Sequence, residues 1–76
     1  MQQTKIMLKS IQDIRSFVQE VILLDYEVDL KQGKYVIDGK SIMGIFSLDL
    51  LSPITLEAHT DDASALFEKI KNFIVK

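Results

Sequence analysis

The sequence predicts an α+β domain of two layers, an antiparallel sheet with its helices on one face. Three observations carry that prediction. Apolar and polar residues alternate in four short stretches, the period of half-buried strands. Apolar residues recur at helical spacing in two longer stretches. The two middle strands are joined by little more than Gln32-Gly33, so they form a hairpin and run antiparallel. The predicted order is β-α-β-β-α-β-α, with four strands and three helices in a single domain spanning residues 1–76.

The elements follow in order. Thr4 to Lys9 reads as a strand, with Ile6 and Leu8 on one face and Met7 on the other. Ser10 is placed to cap a helix, and Asp13 three residues on can return a bond to the cap's own N–H. The helix runs from Ile11 to Leu23. Ile11, Ile14, Val18, Val21 and Ile22 form its apolar stripe, widened by Phe17 and Leu24. Tyr26 to Lys31 alternates as a strand, with Tyr26, Val28 and Leu30 inward. Lys34 to Asp38 returns, with Tyr35 and Ile37 on one face.

Asp38 to Leu51 fits neither a strand nor a long helix. Ser41 is placed to cap a short helix there, its hydroxyl accepting from a helical N–H that otherwise lacks a partner. Ile42, Met43, Phe46 and Leu48 give that helix more apolar surface than it can bury, which predicts a docking patch. Pro53 lacks an N–H and suits the start of a strand. Ile54 to His59 alternates, with Ile54, Leu56 and Ala58 inward and Thr55, Glu57 and His59 outward, on a sheet face expected to stay wet. Thr60-Asp61-Asp62 suits a helix start. Ala63, Leu66, Phe67, Ile70, Phe73 and Ile74 then form a stripe to the end, with Lys69, Lys71 and Lys76 near the helix C-terminus, where its dipole favours cations.

Composition narrows the function. A hydrophobic fraction of 47% is that of a globular chain, not a disordered one. A net charge of −2 provides no basic face for nucleic acid. With no cysteine there is no disulfide framework and no thiolate chemistry. No apolar run reaches the roughly 18 residues of a membrane span, and Met1 to Lys5 does not open a secretory signal. The expected location is the cytoplasm, with no membrane or nucleic-acid partner, no cofactor and no bound metal. Ser10 has no neighbouring base that would make it a nucleophile. Asp61 and Asp62 read as helix-start residues. His59, the single histidine, is expected on the surface without a carboxylate partner.

The segment Lys40-Ser41-Ile42-Met43-Gly44-Ile45-Phe46-Ser47-Leu48 resembles the regulatory-serine segment of HPr, the histidine-containing phosphocarrier of the bacterial sugar phosphotransferase system. Pro53-Ile54-Thr55-Leu56-Glu57-Ala58 resembles the last strand of that family. The element order is the family's too, and the resemblance covers essentially the whole chain. It implies an open-faced β-sandwich, a four-stranded antiparallel sheet covered by three helices. The link between Leu48 and the last strand is shorter than usual, with Asp49-Leu50-Leu51 in place of a glycine-rich turn.

One departure bears on activity. The family's phosphorylatable histidine lies in a Gly-Ile-His-Ala-Arg-Pro segment at the first helix's N-cap. Counted back from Ser41 without gaps, that segment falls on Leu8-Lys9-Ser10-Ile11-Gln12-Asp13. Ser10 then stands at the histidine position and Gln12 at the arginine position. A serine phosphate ester is far less reactive than a phosphoramidate, and Asp13 would repel the anion. The resemblance therefore implies a protein that is neither an enzyme nor a histidine phosphocarrier.

What the resemblance retains is Ser41, matching a serine that an ATP-dependent kinase phosphorylates in many HPr proteins. The expected function is regulatory, in catabolite control and sugar transport. Lys40, Ile42, Met43, Phe46 and Leu48 would bind protein partners: the serine kinase and phosphatase, a transcription regulator, or phosphotransferase components. The alternative is a structural, oligomerising module derived from the same family, in which a homodimer buries the patch.

Overall fold

The computed structural model describes residues 1–75, so the predicted role of Lys76 lies outside the described residues. Strands β1 (Gln2–Ile6), β2 (Val28–Gln32), β3 (Tyr35–Asp38) and β4 (Ile54–Ala58) form one antiparallel sheet. Their spatial order is β1-β4-β2-β3. Helices α1 (Ile11–Val21), α2 (Ile42–Phe46) and α3 (Ser64–Lys69) supply the second layer, and a 3₁₀ turn, Lys71–Phe73, follows α3. This is the predicted α+β architecture.

Register explains which residues are buried. Thr4 faces Leu56, which faces Leu30 in turn; Ile6 faces Ile54, and Val28 faces Ala58. Side chains alternate across a strand, so this set points to one side. There they meet Ile14, Phe17 and Val21 of α1, Ile45 of α2, and Leu66 and Ile70 from the α3 region, and all these apolar side chains are buried. Strands β4 and β2 each have a partner on both sides, and their inward residues Ile54, Leu56, Ala58, Val28 and Leu30 are all fully buried.

Gly33 makes the β2–β3 hairpin possible. It has φ 59° at the first of two turn residues, and Gln32 pairs with Tyr35 across it. Positive φ at the first position alone is the pattern of a type II′ turn, which calls for glycine there. Gly39 closes the other end of the hairpin. Its N–H donates to the Val28 carbonyl at 2.7 Å. A Cβ at Gly39 would stand 3.0 Å from that same carbonyl oxygen, so a side chain there would crowd the strand to which it bonds.

Several expectations change. Strand β1 lies earlier than Thr4 to Lys9 because its ladder partner, Ile54 to Ala58, is used up at Ile6. Leu8 is still fully buried, beyond the strand. Helix α1 stops at Val21. Ile11, Ile22 and Leu23 are exposed, and the buried stripe is the narrower Ile14-Phe17-Val21. The Asp13 carboxylate accepts from the N–H of Lys9 at 3.1 Å, one residue before the cap, while the Asp13 N–H donates to the Ser10 hydroxyl. On edge strand β3, Ile37 packs against the core, while Val36 lies on the helix-free face and Tyr35 at the hairpin end, and both of these are exposed.

The C-terminal helix is much shorter than its apolar stripe. After Lys69 the chain tightens into the 3₁₀ turn and then extends along β1. Ile74 bridges Ile6, the Val75 N–H donates to the Lys5 carbonyl at 2.8 Å, and the Met7 N–H donates to Phe73 at 2.8 Å. Phe73 and Ile74 thus meet the core by lying against a sheet edge, which helical spacing cannot distinguish from a helix face.

Candidate functional site

Helix α2 begins where the β2–β3 hairpin ends. The Asp38 carboxylate accepts from the Lys40 N–H at 2.9 Å, and the Asp38 carbonyl accepts from Ser41 at 3.0 Å. These bonds turn the chain off the sheet and leave Ser41 extended at the N-cap, with φ −95° and ψ 101°. The Ser41 hydroxyl accepts from the Gly44 N–H at 3.1 Å, the predicted cap. Gly44 lets α2 sit close to the sheet. A Cβ there would meet Ser41 Oγ at 3.1 Å and the Ile37 side chain at 3.4 Å.

A helix of five residues cannot hold itself, so packing decides its orientation. Ile45 is fully buried and Ile42 packs half-buried against the core. Met43 is left 76% exposed and Phe46 42% exposed. Leu48 corrects the sequence reading. It is only 6% exposed and belongs to the core, because the chain turns inward after the helix; it is not available to a docking partner. Leu51 stands out instead, 89% exposed in the turn before Pro53. It falls outside the predicted patch because the residues that precede a strand carry no periodic signal.

Lys40 is not a free cation above the helix. Its ammonium is half-buried and donates to the Leu24 carbonyl at 3.4 Å, tying the end of the α1 segment to the start of α2. Ser10 and Gln12 lie exposed at the opening of α1, where the Ser10 hydroxyl accepts from the Asp13 N–H at 3.1 Å. No histidine stands there. The single histidine is His59, just past the end of β4.

The second polar cluster corrects two expectations. Asp29 and Glu57 face each other across β2 and β4 on the helix-free side of the sheet. His59 Nε2 lies 2.8 Å from the Asp29 carboxylate, so it has the carboxylate partner that the sequence reading denies it. Glu57 is only 6% exposed, although its face is expected to be wet. Lys31 pairs with it at 3.0 Å and the Gln3 amide donates to it at 2.6 Å. Long neighbours on both flanking strands cover this carboxylate, and its charge is matched as it is buried. Donor atoms of Asp29, Glu57 and His59 lie within 4.8 Å of one another, close enough to share a cation. Lys31 and His59 already occupy those carboxylates. Asp29 is thirty residues before His59, so only strand register brings them together.

Comparisons with known proteins place this geometry. The family model for the PTS HPr component phosphorylation site matches residues 12–76, a span that begins just after Ser10. Among solved structures, HPr-C-His from Thermoanaerobacter tengcongensis is 24% identical, with 95% of this chain and 89% of that chain covered and a TM-score of 0.76. A phosphocarrier protein HPr from Bacillus anthracis is 25% identical over 97% of this chain and 94% of that one, with a TM-score of 0.71. Crh, the catabolite repression protein of Bacillus subtilis, is 23% identical over 93% and 88%, with a TM-score of 0.66; it forms a swapped, intertwined dimer. No curated protein sequence matches the chain. With the architecture of those proteins and a family match over most of its length, the chain belongs to the HPr family of the phosphotransferase system.

Proposed function

We propose that this chain is a regulatory HPr-like protein in which Ser41 is phosphorylated and the protein does not act as a histidine phosphocarrier. The observation that carries the reading is the setting of Ser41: a half-exposed hydroxyl at the N-cap of α2, with exposed Met43 and Phe46 on the same short helix. The modification transfers the γ-phosphoryl group of ATP to Ser41 Oγ, with ADP leaving and the hydroxyl proton released. It adds about −1.5 to −2 charges beside an apolar surface, which changes the partners that surface accepts. The ammonium of Lys40 is held by a single long bond to Leu24 and can turn toward the new anion.

Carrier chemistry is not proposed, because Ser10 and Gln12 stand where the family's histidine and arginine would fall. Met43, Phe46, half-buried Ile42 and Lys40 form the surface offered to a serine kinase, its phosphatase, and a transcription regulator or phosphotransferase component in the cytoplasm. The likeness to Crh, whose name links it to catabolite repression, points the same way. The second reading is an unphosphorylated oligomerising module. The exposure of Met43, Phe46 and Leu51 favours it, because a second copy would bury them.

Intact-mass measurement separates these readings. The protein is incubated with ATP and the HPr serine kinase, and separately with phosphoenolpyruvate and enzyme I, each alongside Ser41→Ala. One phosphate from ATP only, lost in Ser41→Ala, is the expected result. An acid-labile phosphate from phosphoenolpyruvate would overturn the loss of carrier function. No phosphate from either donor would overturn the modification, and a dimer burying α2 would then favour the oligomerising module.

A further inference from the structure

We propose that the open edge of β3 pairs with β3 of a second copy, in antiparallel register with Val36 on the two-fold axis. The inference is independent of Ser41 and α2. It begins with hydrogen-bond parity. The Gly39 N–H donates to the Val28 carbonyl, so those two residues form a bonded pair of the hairpin. Bonded pairs alternate along an antiparallel ladder. Ile37 with Leu30 and Tyr35 with Gln32 are therefore bonded as well. Val36 and Asp38 turn their N–H and C=O groups the other way, toward the edge of the sheet. Among the described residues, nothing in the sheet lies beyond β3.

Parity restricts how two such edges can meet, and charge chooses among the registers. Residues with outward backbone groups must face one another. Centring on Val36 sets Lys34 opposite Asp38 of the second copy, twice by symmetry. Centring on Tyr35 sets Lys34 opposite Val36 and gives neither charge a partner, centring on Ile37 sets Lys34 opposite Lys40, and centring on Asp38 or on Lys34 sets like charges opposite themselves. Like charges directly opposed are destabilising, and opposite charges favour the pair. Within the chain, Asp38 faces Asp29, its like-charged partner across β2. Neither Lys34 nor Asp38 forms an ion pair among the described residues. A second copy gives each a partner of opposite sign.

The side chains fit the same register. Val36 would meet its own counterpart on the helix-free face, and Tyr35 would meet Ile37 on the face that α2 covers. Tyr35 and Val36 are the exposed large apolar residues of this strand. The backbone contributes a reciprocal pair of bonds between the two Val36 residues. Each Asp38 N–H adds one more, to the Lys34 carbonyl of the other copy; the Asp38 carbonyl is already engaged by Ser41. A strand of four residues makes this a weak association. The result is a continuous eight-stranded sheet, the strand-addition mode of recognition applied to the chain itself.

Sedimentation velocity across about 10 μM to 1 mM chain tests it. A monomer–dimer equilibrium is expected, weakened about tenfold by Lys34→Glu and restored toward wild type when Asp38→Lys is added to the same chain. Circular dichroism confirms that each variant folds. The chain has no cysteine, so Val36→Cys places one thiol at the axis. A short bis-maleimide should link Val36→Cys into dimers and leave Leu51→Cys, also exposed, largely unlinked. A protein monomeric at 1 mM, or a dimer indifferent to Lys34→Glu, would overturn the proposal. So would a dimer that links at Leu51→Cys and not at Val36→Cys, which is a dimer through the α2 region. Ser41→Ala should leave the equilibrium unchanged, so the edge and the phosphorylation reading can fail separately.

Discussion

Replacing Ser41 by alanine removes a hydrogen bond whose weight can be worked from its surroundings. Its hydroxyl accepts from the Gly44 N–H at 3.1 Å, and among the described residues no other side chain caps the N-terminus of α2. Loss of an N-cap of this kind costs about 1 kcal/mol, within roughly 0.5 to 2. Helix α2 spans five residues and has one fully buried side chain, Ile45, so little else holds its first turn. An unfolding entropy near 2.1 cal/mol/K per residue converts about 1 kcal/mol into a fall in Tm of about 6 °C for a chain of this size. Ser41→Asp keeps an acceptor at the N-cap and adds the charge that the helix terminus favours. It should recover most of the loss. The assay is thermal unfolding by circular dichroism at neutral pH, with urea titration to show an unchanged m-value. A fall below about 2 °C in Ser41→Ala, or a Ser41→Asp variant as unstable as Ser41→Ala, would refute the capping argument.

Further outcomes can be checked with the same instruments. Phe17 is the largest fully buried side chain, so Phe17→Ala should cost about 3 to 5 kcal/mol and leave little folded protein at 37 °C. Gly33→Ala forces a Cβ into the left-handed region at φ 59°. The added methyl meets open space, so backbone strain alone should cost about 1 kcal/mol, read from the urea midpoint. Lys31→Met strands the buried Glu57 carboxylate beside Asp29 and should cost about 1 to 3 kcal/mol, much of it recovered by adding Glu57→Leu. The Asp62 carboxyl is held below its ordinary pKa by the hydroxyl and then the backbone N–H of Ser64. Its folded pKa is depressed, so its contribution is present above the unfolded value and is lost as pH falls through the folded one. Asp62→Asn should flatten that part of the acid unfolding curve, below about pH 4.

What the sequence makes legible is periodic, and what it hides depends on register. Alternation in β2 and β4 locates those strands, and the turn at Gly33 makes β2 and β3 antiparallel, without any tertiary information; that β4 enters between β1 and β2 follows from neither. The Ser41 cap is equally readable, because capping is local chemistry over three residues. Burial within α2 is not. Ile42, Met43, Phe46 and Leu48 look alike in sequence, and only the path of the chain after Phe46 sends Leu48 inward and leaves Met43 out. Glu57 and His59 show the same limit. Each reads as an outward polar residue of a strand, and the neighbours that define its setting, Gln3, Lys31 and Asp29, arrive from other strands. The last stretch fails for a different reason. Phe73 and Ile74 continue a helical stripe numerically, yet the N–H of Val75 finds its acceptor in Lys5.

That tail also makes the two sides of the sheet unequal. One margin, along β3, is open. The other is occupied from Lys5 to Met7 by residues 73–75 of the same chain, leaving only Gln2 to Thr4 of β1 beyond them. A sheet that could add strands at both margins would grow without limit, as fibrils do. One that adds them at a single margin stops as soon as two copies have met, because the interface is then its own complement and is used up. On the proposed pairing through β3, the few residues after α3 would cover part of the opposite margin and so favour an assembly that closes at two copies.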